Sequence, residues 1–317
     1  MIEKNILITG GAGFIGSHIA EYLLNINVKK IRIMDNLSNG KIENIKHLLS
    51  NFDNIEFIYG DIKNLEDCRK CVKDMDCICH QAALGSVPRS VKEPSIYNSN
   101  NVDGFFNIII AAREVDIKRI VYASSSSVYG DEKNLPKKED IVGLPLSPYA
   151  ATKKINEIYA QVFSKCYNME IIGLRYFNIF GPRQDPNGMY AAVIPKFIKS
   201  IMNKESPIIN GNGEYSRDFT YIENAVNANI LALTTENKKC FGEVFNIASG
   251  ERIKIIELFQ ILKEELKIEI SNIFGPERDG DIPHSNADIN KAKNFLGYYP
   301  IVSFREGIKK MCKLQLK

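Results

Sequence analysis

The chain has no stretch of about 18 consecutive apolar residues, the length a membrane-spanning helix requires, so no membrane partner is expected. Its first residues, Met1-Ile2-Glu3-Lys4-Asn5, run into a strand-like segment without a basic region followed by an apolar one. A secretory signal is therefore not expected, and a cytoplasmic location is. Net charge is small, +3 over 317 residues, too little to mark a nucleic-acid partner. Lys309, Lys310, Lys313 and Lys317 read as the solvated face of a last helix. Cysteine occurs in an odd number, seven, scattered along the chain, which argues against a disulfide framework. Cys68, Cys71, Cys77 and Cys79 lie close enough together to suggest zinc. The first two fall in a helix-like stretch and the last two in the apolar strand Cys77-Ile78-Cys79. Small buried hydrophobes are the better reading, and no metal is expected. Internal repeats and low-complexity segments are missing as well. What remains is an ordinary soluble composition, 44% hydrophobic and 25% charged, long enough for two domains or one domain with a lobe.

Within that composition, apolar strands alternate with helical stretches. Asn5-Ile6-Leu7-Ile8-Thr9 predicts a strand, Gly10-Gly11-Ala12-Gly13-Phe14-Ile15-Gly16 a tight turn, and about Ser17 to Asn25 a helix. Gly10-x-x-Gly13-x-x-Gly16 departs from the commoner GxGxxG spacing, but the mechanics are the same. The turn is tight, the backbone can approach a pyrophosphate, and the helix N-terminus faces the anion. Asp35 ends a second strand about 20 residues beyond Gly16, where a carboxylate accepts both ribose hydroxyls of adenosine and repels a 2′-phosphate. NAD is thereby favoured over NADP. A third strand, Ile55 to Ile62, contains Asp61, suited to the adenine region. A fourth, Cys77 to Ala83, breaks into the loop Leu84 to Arg89, and a helix spans about Val102 to Val115. Arg119 to Ala123 runs into the serines Ser124 to Ser127, and Glu170 to Arg175 is a sixth strand.

This alternation predicts an α/β fold, a doubly wound parallel sheet of the Rossmann kind. Ligands bind such sheets at the C-terminal ends of the strands, where the glycines, Asp35, Asp61, Ser86 and the serine run all fall. From residue 176 the pattern loosens into short strands, including one from Arg217 to Thr220, mixed with helices. A smaller mixed α/β lobe over 176–317 is expected beside the 1–175 domain, with Glu243 to Ala248 able to rejoin the large sheet.

Ser147-Pro148-Tyr149-Ala150-Ala151-Thr152-Lys153 begins the helix after the fifth strand. Its spacing puts Tyr149 and Lys153 on one face, one turn apart. An ammonium beside a phenol favours the phenolate and lowers its pKa from about 10. The expected product is a tyrosine that takes a proton from an alcohol.

On the glycine turn, the serine, Tyr149 and Lys153, the chain resembles the extended short-chain dehydrogenase/reductases over essentially its full length. More narrowly it is similar to the nucleotide-sugar 4-epimerases, in particular the bacterial UDP-N-acetylglucosamine 4-epimerase branch, which makes UDP-N-acetylgalactosamine for surface polysaccharides. The stretches His80 to Ser90, Leu174-Arg175-Tyr176-Phe177-Asn178 and Arg183-Gln184-Asp185-Pro186-Asn187-Gly188 continuing to Pro195 carry that likeness. The resemblance implies NAD as cofactor and a UDP-sugar as substrate. It makes Tyr149 the general base, Lys153 the ligand of the nicotinamide ribose, and Ser125 the partner of the sugar 4-oxygen, with Ser126 nearby. It adds Phe14, Ile15, Asn36, Ser38, Asn39, Gly40, Ile62, Gln81, Ala82, Ala83, Asn100 and Phe177 to the NAD contacts. On the substrate side it implies Ser86, Asn178, Ala192, Val193, Asn210, Arg217, Arg278, Asp281 and Ser285. Guanidinium groups suit diphosphate oxygens, which makes Arg217 and Arg278 the anchors. The competing reading pairs them with Asp218 or Asp281. A homodimer through the Val102–Val115 and Ala150–Cys166 helices is also implied.

The likeness also separates sister reactions. Nucleotide-sugar 4,6-dehydratases and UDP-xylose-forming decarboxylases carry a Glu just before the Val/Leu-Tyr-Gly, where this chain has Ser126-Ser127 before Val128-Tyr129-Gly130. A hydroxyl does not do that carboxylate's acid–base work, so elimination is disfavoured. UDP-glucuronate 4-epimerases share a similar serine run and stay open as an alternative, as does a 6-carboxylated UDP-N-acetylglucosamine. Ser285 stands where bacterial UDP-galactose 4-epimerases have a bulky Tyr, leaving room for a 2-acetamido group. A non-catalytic NAD-binding protein is disfavoured because both Tyr149 and Lys153 are present.

Overall fold

Residues 3–186, 192–277 and 282–316 are described by the computed structural model. The apolar runs become β1 (Asn5–Thr9), β2 (Lys30–Asp35), β3 (Ile55–Tyr59), β4 (Cys77–His80), β5 (Arg119–Ser125) and β6 (Glu170–Tyr176). Short strands follow: β7 (Ile179–Phe180), β8 (Ile208–Asn210), β9 (Ser216–Arg217), β10 (Thr220–Tyr221), β11 (Val244–Ile247), β12 (Ile253–Lys254) and β13 (Ile273–Gly275). The main sheet has seven strands in the order β11-β6-β5-β4-β1-β2-β3, every pair parallel. The order reverses between β1 and β4, and the crevice at that switch point is where such a sheet binds ligands.

Both faces of the sheet are covered, as a parallel sheet requires. Alternation along β1 sends Ile6 and Ile8 to one face and Leu7 to the other. The first face packs against the Phe14–Asn25 and Ile222–Thr234 helices, the second against the Leu65–Val72 and Gly104–Glu114 helices. The Ile222–Thr234 helix lies beyond residue 176 yet packs on the large sheet, and Arg119 of β5 donates to its terminal carbonyls at Ala232 and Leu233, both 3.0 Å. β11 pairs with β6 in the same way, so the later half of the chain completes the first sheet. The remaining short strands pair two by two: β7 with β10, β9 with β12, and β8 with β13.

Four local differences from the sequence reading have physical causes. The first helix starts at Phe14, not Ser17, because Gly16 lacks a Cβ and fits inside its first turn. β5 continues through Ser125, held by its register with Tyr176 of β6. The helix expected over Val102–Val115 is α-helical over Gly104–Glu114 and is preceded by a π-helical turn, Ser99–Asp103. The strand expected from Arg217 to Thr220 breaks in two, because Asp218 turns inward. Its Oδ1 accepts from Ser249 N (3.0 Å) and Oγ (2.8 Å), and its Oδ2 from Ala287 N (3.2 Å). Burial raises its carboxyl to about 6.

Cys68, Cys71, Cys77 and Cys79 are fully buried, and burial pushes Cys68, Cys77 and Cys79 up to about 12. Such thiols stay protonated and behave as small hydrophobes. Among the described residues no helix is long and apolar enough to cross a membrane.

Candidate active site

The glycine turn shapes a cleft at the switch point. Gly10 has φ +67°, and a Cβ there would stand 2.6 Å from Ala82 N; on Gly16 it would stand 2.3 Å from Gly10 O. Both contacts are with backbone that cannot give way. Gly13 meets only Gly10 O, at 3.1 Å, so its other side is open. No side chain caps the Phe14–Asn25 helix at Gly13, leaving its first N–H groups free to face an anion. The cleft encloses about 370 Å³ and is lined by Gly10, Gly13, Phe14, Ile15, Gly16, Asp35, Asn36, Ser38, Asn39, Gly40, Ile62, Gln81, Ala82, Ala83 and Asn100. These are fifteen of the expected NAD contacts, brought together from five separate segments of the chain. The shape and donor set fit a dinucleotide.

At the end of the cleft expected to take adenosine, the buried Asp35 carboxylate accepts from Ala12 N at 3.0 Å and Leu37 N at 2.8 Å. Burial raises its carboxyl and the two N–H groups oppose that. Asp61 falls just outside the lining, and its Oδ2 accepts from Asn36 Nδ2 at 3.1 Å. Replacing Asp35 by Ser is expected to bring the Kd for NADP to within about tenfold of that for NAD, since the residue that repels a 2′-phosphate is gone. Calorimetric titration of both dinucleotides checks this.

The π-turn explains Asn100. An extra residue per turn moves Asn100 to the cleft wall, while Asn101 faces inward. Asn101 Oδ1 accepts from Leu84 N (2.8 Å), and its Nδ2 donates to Leu84 O (3.0 Å) and Thr152 Oγ1 (3.2 Å). The loop after β4 is thus tied to the helix carrying Tyr149. Phe177 differs from expectation: its ring is fully buried with Val128, Tyr129, Ala248, Ala287 and Ile289, off the cleft wall. The sequence reading missed Lys41, Asn44, Arg183 and Asp185, which also line the cleft, as does the loop start Leu84-Gly85. Lys41 and Asp185 form an ion pair at 2.9 Å, joining two loops that no local pattern connects.

Tyr149 and Lys153 stand on the Pro148–Tyr167 helix. Ser147 caps it by accepting from Ala150 N at 3.1 Å, Pro148 occupies its first turn, and Asn168 ends it in the left-handed region at φ 53°. Ser125 closes β5 opposite. Both Ser127 N and Ser127 Oγ donate to Ser125 Oγ, at 3.2 and 3.0 Å, which leaves the Ser125 proton for the Tyr149 phenol. Ser126 opens the short 3-10 turn Ser126–Tyr129 and is half-buried.

The electrostatics correct one expectation. Burial is the largest influence on the Tyr149 phenol and raises its pKa; the Ser125 hydrogen bond lowers it, and Lys153 does not. Lys153 is 3% exposed, and its Nζ donates to Ala123 O at 2.8 Å. Burial pulls its ammonium down to about 8. Helical spacing set the shared face; the β5 carbonyl within reach decided where the ammonium points. Tyr97 packs its ring edge on Tyr149, 6.3 Å between centroids, and its Oη accepts from Ser86 N at 3.0 Å. Ser86 itself caps the Val87–Lys92 helix through Arg89 N, 3.2 Å.

A second cavity of about 590 Å³ is lined by Asn178, Ala192, Val193, Asn210 and Arg217 of the expected substrate contacts. Tyr215, Phe219, Lys196 and Pro88 line it too, and were not anticipated. Pro88 opens the Val87–Lys92 helix directly after the loop that borders the dinucleotide cleft through Leu84 and Gly85. Arg217 Nη1 donates to Ser216 O and Pro283 O, 3.0 and 3.2 Å, while Asp218 turns away into its buried network. Ser285 is half-buried beside β9, its N donating to Ser216 O at 3.0 Å. Arg278, Asp281, Asn187 and Gly188 lie outside the described residues. Among the described residues no group of three or more His, Cys, Asp or Glu side chains could hold a metal.

Comparison with known proteins agrees with this geometry. The model of the NAD dependent epimerase/dehydratase family matches residues 6–248. A UDP-N-acetylglucosamine 4-epimerase from Methanobrevibacter ruminantium, solved with UDP-N-acetylmuramic acid, is 44% identical with a TM-score of 0.93; the match covers 100% of this chain and 99% of that one. A UDP-glucose 4-epimerase from Thermotoga maritima, solved with UDP-glucose, is 34% identical over 99% of this chain and 100% of that one, TM-score 0.91. A UDP-glucuronic acid 4-epimerase from Bacillus cereus, solved with its substrate and NAD, is 32% identical over the same shares, TM-score 0.90. A glycine cradle built for a dinucleotide, a Ser125–Tyr149–Lys153 cluster beside it and these whole-chain likenesses have one reading: the chain belongs to the NAD-dependent epimerase/dehydratase family.

Proposed function

We propose that the protein interconverts UDP-N-acetylglucosamine and UDP-N-acetylgalactosamine by epimerisation at C4, supplying sugar for a surface polysaccharide. The observation that carries epimerisation is the surroundings of Tyr149: the hydroxyl of Ser125, itself held by Ser127, an aromatic edge from Tyr97, and no carboxylate at Ser126-Ser127. Tyr149 takes the proton of the 4-hydroxyl, with Ser125 bonding the same oxygen. Bound NAD would supply the hydride acceptor and donor for C4. Lys153 holds the nicotinamide ribose. Arg217, with Arg278, grips the diphosphate while the 4-keto sugar turns about its link to it. Tyr149 then returns its proton, and C4 is inverted. Residues 1–175 serve the dinucleotide and 176–317 mostly the UDP-sugar.

The acetylated substrate is favoured by the 44% identity to the Methanobrevibacter ruminantium enzyme and by the small side chain at Ser285. The likeness to a UDP-glucuronic acid 4-epimerase keeps a 6-carboxylated sugar as the second reading. Incubation with UDP-glucose, UDP-N-acetylglucosamine and both uronic acids, followed by chromatography of the 4-epimers, decides between them. Equilibration of the uronic acids alone would reject the first reading. Ser285→Tyr is expected to cut kcat/KM for the acetylated sugar by about 100-fold or more, with a small effect on UDP-glucose, as overpacking acts only where the extra group must fit. Equal losses on both would contradict the steric account. A homodimer is proposed on the exposed Ile158 and Val162 of the Pro148–Tyr167 helix, 52% and 44% accessible; sedimentation gives the mass.

A further inference from the structure

Glu157 is a buried carboxylate with no part in the proton transfer above. It stands one turn beyond Lys153 and two beyond Tyr149 on the same helix, so the three share a face. Its Oε1 accepts from Ser124 Oγ at 2.7 Å and Arg175 Nε at 2.8 Å, and its Oε2 from Arg175 Nη2 at 2.9 Å. Ser124 and Arg175 are register partners on β5 and β6, so the carboxylate is clamped across both strands. Arg175 is fixed in turn by Glu139 O (3.0 Å) and the Tyr129 ring (4.9 Å). A buried ion pair of this kind adds little net stability over an apolar pair of the same size. What it does supply is a negative charge at a fixed place.

We propose that Glu157 is a positioning residue for the catalytic pair: its clamped carboxylate fixes a negative charge one helical turn from Lys153 and holds the helix in register with Ser125. Several groups face it. Arg175 comes from β6 and Tyr122 from β5, the latter a phenol kept neutral by burial. Lys154 lies 3.5 Å away on its own helix. For Lys153, burial is the larger influence and favours the neutral amine; Glu157 is the group that opposes it. The proposal rests on the Tyr149–Lys153 reading given above.

Two readouts test it. In Glu157→Gln the alkaline limb of kcat/KM moves to lower pH, and the ratio of rates at about pH 8 and about pH 6.5 falls about threefold or more. The second readout needs neither cofactor nor turnover. Lys153 holds its proton up to about 8 in the folded chain and to the ordinary 10.5 in the unfolded one. Between those values the unfolded chain binds more protons, so stability rises with pH. In melting curves of the cofactor-free protein, Glu157→Gln starts that rise at lower pH, and Lys153→Met lacks it. Glu157→Gln also leaves Arg175 without its partner, so Glu157→Gln/Arg175→Gln is measured alongside as the relieved pair. Both shifts persist in the double variant if the carboxylate acts on Lys153. A double variant with the wild-type limb and the wild-type onset overturns the proposal. If the wild-type protein epimerises no UDP-sugar, the functional reading fails instead, and the melting curves still decide the role of Glu157.

Discussion

A Tyr149→Phe protein is expected to fold, to keep its dinucleotide, and to lose about 10²- to 10⁴-fold in kcat, the range that a positioned general base contributes. The substitution removes one oxygen from a half-buried ring and leaves its edge contact with Tyr97 in place. Melting temperature and NAD content should therefore stay near wild type. The loss should fall on kcat, since Tyr149 is the proposed acceptor of the 4-hydroxyl proton. Ser125 is already turned towards the phenol and takes its own hydrogen bonds from Ser127 N and Oγ. Retention of full epimerase activity on a UDP-sugar panel would reject Tyr149 as the base. A comparable loss accompanied by a lower melting point would point to misfolding, which circular dichroism distinguishes.

Gly16→Ala carries the second large effect, on cofactor binding and stability together. The new Cβ would stand 2.3 Å from Gly10 O and 2.8 Å from Gly11 Cα. Neither atom belongs to a flexible side chain, so the turn must open. Opening it displaces the uncapped first N–H groups of the Phe14–Asn25 helix at the cleft, and it separates that helix from β1. We expect a loss of about 3 kcal/mol in stability, the upper end for overpacking. NAD retention should fall below detection after gel filtration, read by absorbance of the denatured supernatant. Gly13→Ala is the control. Its Cβ meets only one atom, Gly10 O, at 3.1 Å, so the fold should survive and the loss should be confined to the dinucleotide. Equal behaviour of the two variants would contradict the packing argument.

Much of this was legible without coordinates wherever the information is local. Six strands of the main sheet appear as apolar runs, four of them ended by Gly, Asp or Ser, because a strand buried on both faces has little freedom in composition. The cofactor cleft was legible because its contacts come from the ends of those strands, at positions that the βα alternation already orders. Boundaries were less so: Gly16 inside a helix and the π-turn before Gly104 depend on what packs above them. Least visible were pairs distant in sequence. Nothing near Asp218 announces that Ser249 and Ala287 will supply its donors, and nothing near Tyr97 announces the Ser86 amide.

The proposed catalytic pair divides the same way. The sequence by itself determined that Tyr149 and Lys153 share a helical face at the ligand edge of the sheet, since Ser147-Pro148 starts the helix and its period does the rest. It also determined that no acid stands at Ser126-Ser127. Only the tertiary structure decided the charges. Burial, not the neighbouring ammonium, dominates the phenol; the Ala123 carbonyl holds Lys153, and Glu157 comes with Ser124 and Arg175 already bound to it. The physical reason is that helical geometry is local, whereas desolvation and ion pairing depend on every element that closes over a group.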